Sequence, residues 1–190
     1  APVFNFCSRC MKGAAVRGFS GILNGTTNFI LSHMEKGGSM EDGIRIAQEA
    51  GIAEADPSMD IDGWDPAAKA AALANVLMGA DITPLEVERE GIRAITPKMA
   101  QDALRRGTRL KLICRGSRDG NKVRTSVRVE EIKKDDIFCL ISHYGSAVRI
   151  ESDLMHPNTI VQECPDLLDT AYGVIEDLIT IGDHLNRCKD

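Results

Sequence analysis

The sequence is poor in several features that would restrict its function at once. Aromatic residues make up 4% of its 190 residues, and tryptophan occurs once. No apolar run approaches the ~20 residues of a membrane-spanning helix, and no signal peptide is visible. The net charge of −5 leaves no basic excess to neutralise the phosphates of a nucleic acid or an anionic membrane. We therefore expect a cytoplasmic protein that acts on a small molecule, with no nucleic-acid or membrane partner.

The spacing of the cysteines and histidines predicts no metal centre. Among the six cysteines only Cys7 and Cys10 lie close together, and a structural zinc site needs a second such pair or a histidine pair. A redox C-x-x-C normally opens a helix within a βαβ pattern, which the neighbouring residues do not show. The cysteines are therefore interpreted as reduced thiols of a cytoplasmic protein, and the histidines as structural or exposed residues.

The sequence also lacks a dinucleotide-binding motif. The usual sign is G-x-G-x-x-G between a strand and a helix, followed by an acidic residue about 20 positions later. The densest glycines here, at 37–38 and 116–120, follow a predicted helix and occupy a predicted hairpin turn. A nicotinamide or flavin dinucleotide therefore has no recognisable site of its own in this chain.

The order of apolar patterns indicates one domain with an α+β fold. Helical patterns are predicted at 26–36, 39–50, 66–78, 97–106 and 167–182, and strand patterns at 19–22, 110–114, 123–129, 137–142, 147–151 and 159–162. Helices, then strands, then a helix predict a mostly antiparallel or mixed sheet that helices cover on one face. Its other face is predicted to form a homodimer.

Polar residues before three of these patterns are predicted to cap helices, because a short oxygen-bearing side chain can accept from an unpaired N–H group. Thr26 or Thr27 is the predicted cap of the first helix, Ser39 of the second and Asp65 of the third. Residues 1–13 show no pattern. Since the chain begins at Ala1 rather than at methionine, we expect a piece excised from a longer protein.

The stretch 51–69 concentrates ionisable side chains. Five carboxylates, those of Glu54, Asp56, Asp60, Asp62 and Asp65, precede Lys69. Asp65-Pro66 is typical of a helix start, so Lys69 lies one turn into the helix on the face that carries Asp65. The helix dipole disfavours a cation at this end. If it is also desolvated, Lys69 is a candidate proton donor near neutral pH.

Two other interpretations of this stretch remain open. An acidic loop before a capped helix is often a solvated surface connection. The residues Asp60, Asp62 and Gly63 also suggest a calcium loop, but the glycine falls one position early and Ala71 stands where the bidentate glutamate belongs.

The same stretch resembles the signature of the homoserine dehydrogenases. The matching positions are Ala53, Glu54, Ala55, Asp56, Pro57, Asp60, Gly63, Asp65 and Lys69, together with the upstream segment GILNGTTNFIL at 21–31. The resemblance covers most of 18–80 and thins, from about residue 110, to a similar order of elements. It implies reversible hydride transfer between a nicotinamide and aspartate 4-semialdehyde, which gives homoserine for threonine, methionine and isoleucine biosynthesis.

The resemblance further implies a role for each matching residue. Lys69 would stabilise and protonate the developing alkoxide, and Asp65 would orient Lys69 and the substrate hydroxyl. Glu54 and Asp60 would contact the substrate ammonium. The turn formed by Asn24, Gly25 and Thr26 would lie beside the substrate and the nicotinamide, although a plain helix cap explains it equally well.

The family binds NAD or NADP mainly through an N-terminal Rossmann domain, which is absent from this sequence. Residues 1–18 are therefore interpreted as the remnant of a linker to that domain, and residues 19–190 as the catalytic and dimerisation domain. Ile52 stands where the family usually has tyrosine, so a hydroxyl contact to the substrate is lost. There are two alternatives. One is a relative that acts on another carbonyl compound, and the other is a non-catalytic dimerisation or ligand-sensing remnant.

Overall fold

The computed structural model describes residues 2–187. Its helices are α1 Val3–Cys10, α2 Gly25–Glu35, α3 Met40–Glu49, α4 Ser58–Ile61, α5 Trp64–Met78, α6 Pro97–Arg105, α7 Ile137–Leu140 and α8 Leu167–Arg187. Its strands are β1 Val16–Ile22, β2 Glu88–Arg89, β3 Thr108–Asp119, β4 Lys122–Lys133, β5 Ser146–Ser152 and β6 Asn158–Gln162. Among these helices, none is both long enough and apolar enough to cross a bilayer. The thiol of Cys188 lies outside the described residues.

The strands form one mixed sheet in the order β2-β4-β3-β1-β5-β6. Only the short strand β2 runs parallel to its neighbour, and the other pairs are antiparallel. The long hairpin of β3 and β4 is the one that the sequence predicts, with strands that extend further into the turn. Helices α2, α5 and α6 contact β3 and its neighbours. The α+β prediction is therefore confirmed.

The main core lies between this sheet and the helices. From α2, Ile30 and Leu31 are fully buried, and each such side chain stabilises the fold by about 1.5–3 kcal/mol. Helix α5 contributes Ala67, Ala70 and Ala74, all fully buried. These small side chains let α5 pack close to the sheet, and α5 is the helix that carries Asp65 and Lys69.

The opposite face of the sheet is less apolar than the sequence pattern indicates. A second cluster joins Ile113 and Ile132 of the sheet to Phe138 of α7. The rest of this face carries paired charges, such as Arg115 with Glu130 at 2.7 Å. The apolar side chains of β3 and β4 are thus divided between two cores.

Residues 137–142, which the sequence predicts to be a strand, begin with α7 instead. Asp136 caps this helix by accepting from the N–H of Phe138 at 3.0 Å. The run is apolar without a clear period, so the pattern alone does not separate a strand from one helical turn. Residues 3–10 also differ from expectation, because they form α1 and bury Val3 and Cys7. The proposed domain boundary at residue 18 falls within β1 and stays a prediction.

Two of the predicted helix caps are wrong by two or three positions, whereas the third is confirmed. Helix α2 is capped by Asn24, two residues before Thr26. Helix α5 follows Gly63, which has a φ of 80° that glycine adopts without strain. Asp65 lies inside the first turn of α5 and its carboxylate is used elsewhere. Ser39 caps α3 as predicted, by accepting from the N–H of Asp42 at 3.0 Å.

Candidate active site

A cleft of about 1250 Å³ opens between the start of α2, the loop before α4, the first turns of α5 and the strands β5 and β6. All of the predicted site residues line this cleft, namely Asn24, Gly25, Thr26, Glu54, Asp60, Asp65 and Lys69. They come from two separate segments of the chain, 24–26 and 54–69. The fold therefore brings together the two segments that the sequence singles out.

Asn24 joins the two segments. As the cap of α2, its Oδ1 accepts from the backbone N–H of Thr27 at 2.8 Å and from the Thr27 hydroxyl at 2.9 Å. Its Nδ2 donates to Asp60 Oδ1 at 2.6 Å and to Asp65 Oδ2 at 2.8 Å. One nearly buried carboxamide thus fixes the start of α2 and orients two carboxylates on α4 and α5.

Lys69 completes this network. Its Nζ lies 2.8 Å from Asp65 Oδ2 and donates to the backbone oxygen of Leu23 at 3.1 Å. Asp65 therefore orients Lys69, as the sequence predicts. The Lys69 side chain is 50% exposed, so the desolvation that the sequence argument requires is not provided by the described residues. An ammonium group has three N–H donors, and these two contacts leave one for a ligand in the cleft.

The two predicted ammonium-binding carboxylates differ in their surroundings. Asp60 is half-buried and held by Asn24, whereas Glu54 lines the same cleft and is exposed. The loop that carries Glu54 is anchored by Gln48, whose Nε2 donates to the backbone oxygens of Glu54 and Ala55, each at 3.0 Å. A cation between these carboxylates would meet one fixed acceptor and one mobile acceptor.

The predicted turn at the start of α2 packs directly against another part of the chain. A Cβ atom at Gly25 would lie 2.8 Å from the backbone oxygen of Tyr144 and 3.1 Å from its Cβ, which is too close for any larger residue. The Thr26 hydroxyl donates to the backbone oxygen of Ile52 at 3.3 Å. Gly25 is therefore required for close backbone approach, and Thr26 ties α2 to the acidic loop.

The remaining acidic residues of the stretch have other partners. Asp62 faces away from the cleft and pairs with Arg93, whose hydrogen bond lowers the pKa of this carboxyl group. Asp56 accepts from the N–H of Ser58, and the hydrogen bonds from Ser58 lower its pKa. Asp60 and Asp62 thus contact different partners. Within the described residues, no cluster of three or more side chains is suited to bind a metal ion. The calcium-loop interpretation finds no support in this arrangement.

Two aromatic residues of the cleft were missed by the sequence reasoning. Trp64, the single tryptophan, precedes Asp65, and the guanidinium of Arg89 stacks 3.7 Å from its ring centroid. Its position next to the acidic signature was an available signal. Tyr144 reaches the cleft from the segment before β5, about 80 residues from the signature, and no local pattern indicates its role.

The described residues offer no complete dinucleotide site. The connection from β1 to α2 contains one glycine, Gly25, and no G-x-G-x-x-G turn that would receive a pyrophosphate.

Comparisons with known proteins point to one family. The profile of the homoserine dehydrogenase family matches residues 2–179. The NAD(+)-dependent homoserine dehydrogenase of Pseudomonas canavaninivorans is 33% identical over 190 residues, which cover 100% of this chain and 54% of that protein. The homoserine dehydrogenase of Methanocaldococcus jannaschii is 35% identical over 183 residues, which cover 95% of this chain and 52% of that protein.

The structural comparison extends the similarity beyond the signature. The crystal structure of a homoserine dehydrogenase from Thiobacillus denitrificans matches 94% of this chain and 42% of its own, with a TM-score of 0.88 at 30% identity. The likeness therefore includes β3 to β6, where the sequence resemblance thins. The chain spans about half the length of the curated relatives it matches. By profile, sequence and structure, this chain belongs to the homoserine dehydrogenase family.

Proposed function

We propose that this chain is the substrate-binding and catalytic part of an NAD- or NADP-dependent enzyme that interconverts aspartate 4-semialdehyde and homoserine. The observation that carries this proposal is the network of Asn24, Asp60, Asp65 and Lys69 in one open cleft. The network supplies a cation beside oriented carboxylates, which is what the reduction of an amino-acid aldehyde needs. The enzyme would act in the cytoplasm, in the biosynthesis of threonine, methionine and isoleucine.

The proposed chemistry assigns a step to each part of the network. The nicotinamide supplies or accepts the hydride. Reduction of the aldehyde places negative charge on its oxygen, and the remaining N–H of Lys69 donates to that oxygen and then protonates it. Asp65 keeps the ammonium in place through their 2.8 Å contact. In the reverse direction Lys69 accepts the hydroxyl proton of homoserine.

Substrate binding uses the acidic rim of the cleft. The substrate ammonium lies between Glu54 and Asp60, where charge-assisted hydrogen bonds are roughly twice as strong as neutral ones. Asp60 is held in position by Asn24 at 2.6 Å, so its free oxygen is preorganised for the ligand. Gly25 and Thr26 would lie beside the reacting carbon and a bound nicotinamide.

The nucleotide is proposed to bind mainly to a domain outside this chain. In this division, residues 1–18 belong to the linker and residues 19–190 to the catalytic and dimerisation domain. The absence of a pyrophosphate-binding turn from the described residues supports it, as does the roughly half-length match to relatives. The P. canavaninivorans relative is called NAD(+)-dependent, whereas the choice between NAD and NADP here depends on residues of that other domain.

A homodimer through the open face of the sheet is also proposed. Its support is the array of ordered ion pairs on this face, including Arg115 with Glu130 and Arg128 with Glu88, since paired charges bury at lower cost than single ones. Light scattering at micromolar concentration should give twice the chain mass. A stable monomer would count against this interface.

One feature of the cleft favours a second candidate, an oxidoreductase of this family with another carbonyl substrate. Ile52 lines the cleft in place of the family's tyrosine, and its backbone oxygen rather than its side chain makes the polar contact to Thr26. A panel of 4-carbon and 5-carbon amino-acid alcohols, assayed beside homoserine, separates the two candidates. A kcat/KM for another alcohol above that for homoserine would favour the second candidate.

The direct test is a dehydrogenase assay with homoserine and each nicotinamide. The full-length enzyme is expected to reduce NAD+ or NADP+, and the 190-residue chain alone is expected to show no measurable hydride transfer. Clear turnover by the chain alone would refute the proposed location of the nucleotide site. No turnover of homoserine by the full-length enzyme would refute the proposed reaction.

A further inference from the structure

A second lysine lies behind the wall of the cleft and takes no part in the proposed chemistry. Lys111, on β3, has no solvent exposure. Its Nζ donates to Asn28 Oδ1 at 2.7 Å and to the backbone oxygen of Ile141 at 2.6 Å. A fully buried ammonium is costly unless its partners are fixed, so this position calls for a specific explanation.

Asn28 extends the contact to the neighbouring segment, residues 141–145. It lies one turn after Asn24 in α2 and is itself buried. Its Nδ2 donates to the backbone oxygen of His143 at 2.9 Å and lies 3.4 Å from that of Gly145. Together Lys111 and Asn28 therefore supply donors to three carbonyl groups of one short segment, which has no regular secondary structure of its own.

This segment is strained and forms part of the cleft. His143 has a φ of 53°, a left-handed conformation that a residue with a Cβ adopts only when its surroundings hold it there. The next residue, Tyr144, lines the cleft and packs its backbone on Gly25. The donors from Lys111 and Asn28 are placed on either side of this strained position.

We propose that Lys111 and Asn28 are positioning residues: they hold segment 141–145 against Gly25 and thereby fix the wall of the cleft opposite Asp60 and Lys69. This role rests on the proposed function, because it concerns the same cleft. Neither side chain touches the substrate. Their effect is transmitted through Tyr144 and through the start of α2, where Asn24 orients the carboxylates.

The test compares Lys111→Met with Lys133→Met in the full-length enzyme. Met keeps the length of the side chain but donates no hydrogen bond, and Lys133 is an exposed residue of the neighbouring strand β4. In Lys111→Met, the KM for homoserine should rise about tenfold or more because the substrate-contacting wall is displaced. The KM for the nucleotide should stay unchanged, and Lys133→Met should match the parent.

Hydrogen exchange supplies a readout that does not depend on turnover. The amide of Gly145 donates to Ser142 at 3.1 Å within the segment, so release of the segment should speed exchange of the peptide 141–145 by roughly tenfold or more. Peptides from β3 and β4 should be unchanged. If the parent enzyme does not act on homoserine, the proposed function fails, and this exchange measurement still decides whether Lys111 holds the segment.

A second variant covers the case in which Lys111→Met does not fold. Asn28→Asp keeps an oxygen for the Lys111 ammonium but removes the N–H donors to His143 and Gly145, so it should give the same rise in homoserine KM. Unchanged exchange of 141–145 in a folded variant would overturn the proposal. Faster exchange with an unchanged KM for homoserine would overturn it as well. A fall in kcat with both KM values unaltered would also overturn it, because that result is what a simple loss of active enzyme gives.

Discussion

Lys69 and Lys111 lie on opposite sides of the start of α2, and their surroundings differ in every respect that matters for reactivity. Lys69 is half-exposed, contacts a carboxylate and a single backbone oxygen, and keeps a donor for a ligand. Lys111 is fully buried and bonded to a carboxamide and a backbone oxygen. Burial lowers the pKa of Lys111 to about 8, against an opposing attraction from Glu35.

The difference shows what each environment allows. An ammonium in an open cleft can exchange a water molecule for a substrate oxygen without disturbing its protein partners. An ammonium in the core has no room for a ligand. Its loss leaves its hydrogen-bond acceptors unpaired in the protein interior, where an unpaired polar group costs free energy. The exposed lysine is therefore suited to chemistry, and the buried one to maintaining the shape of the cleft.

The largest effect is expected from removing the exposed ammonium. In the full-length enzyme, Lys69→Ala should lower kcat by roughly a hundredfold or more, the usual contribution of a general acid, with a smaller change in the KM for homoserine. Steady-state kinetics with circular dichroism as a folding control measure this. Near-normal turnover by a folded Lys69→Ala enzyme would reduce Lys69 to a helix-surface charge.

Glu54→Ala is the matched control for that experiment. Glu54 lines the same cleft and is also exposed, but its proposed contact to the substrate ammonium is equally strong in the ground state and the transition state. Its loss should therefore raise KM and spare kcat. Equal effects of the two variants on kcat would remove the distinction between a proton donor and a binding carboxylate.

The buried ammonium should be visible in the pH dependence of stability. The pKa of Lys111 is about 8 in the folded chain and 10.5 for an ordinary lysine, so between these values the unfolded chain binds more protons. The free energy of unfolding therefore contains a term that rises with pH across this window. Between pH 7.5 and 9.5 the wild type should gain about 2 kcal/mol relative to Lys111→Met.

Subtracting the free energy of unfolding of Lys111→Met from that of the wild type removes the contributions of groups that both proteins share. The groups that face Lys111 are Glu35, Arg109 and Cys139. Burial raises the pKa of Glu35, and this carboxyl group remains in both proteins. Urea unfolding at the two pH values measures the change. A constant difference between wild type and Lys111→Met would mean that the ammonium is not desolvated.

The sequence predicts the parts of this molecule that depend on neighbouring residues. Ser39 caps its helix as expected, because the cap needs only an N–H group three positions away. The cap of α2 was placed at Thr26 or Thr27 because these residues and Asn24 are all acceptable caps in sequence. What selects Asn24 is its bonding to Asp60 and Asp65, which no local pattern contains.

The residues of the candidate site also fall into those that a local pattern predicts and those that it does not. Asn24, Asp65 and Lys69 were found because they lie in two recognisable motifs, and the fold brings those motifs together. Tyr144 and Lys111 belong to strands and connections whose local sequence reads as ordinary core or loop. Lys111 in particular lies in the apolar run Leu110–Cys114, where alternation predicts a solvent-facing lysine. Its burial comes with contacts to Asn28 and to the backbone oxygen of Ile141, both distant in sequence.

The smallest predicted effect separates the two functions of Asn24, as a helix cap and as the link between the motifs. Ser39 is the matched residue, because the side-chain hydrogen bonds described for it stay within α3. Its Oγ accepts from the backbone N–H of Asp42 and donates to the Asp42 carboxylate. Ser39→Ala should lower the free energy of unfolding by about 1 kcal/mol, the usual value of a cap. Asn24→Ala should cost about 1 kcal/mol more, since it also removes the hydrogen bonds to Asp60 and Asp65. Urea denaturation at pH 7 resolves such a difference. If the free energy of unfolding falls equally in the two variants, the contacts to Asp60 and Asp65 orient these carboxylates without stabilising the fold. The network would then serve only the arrangement of the cleft.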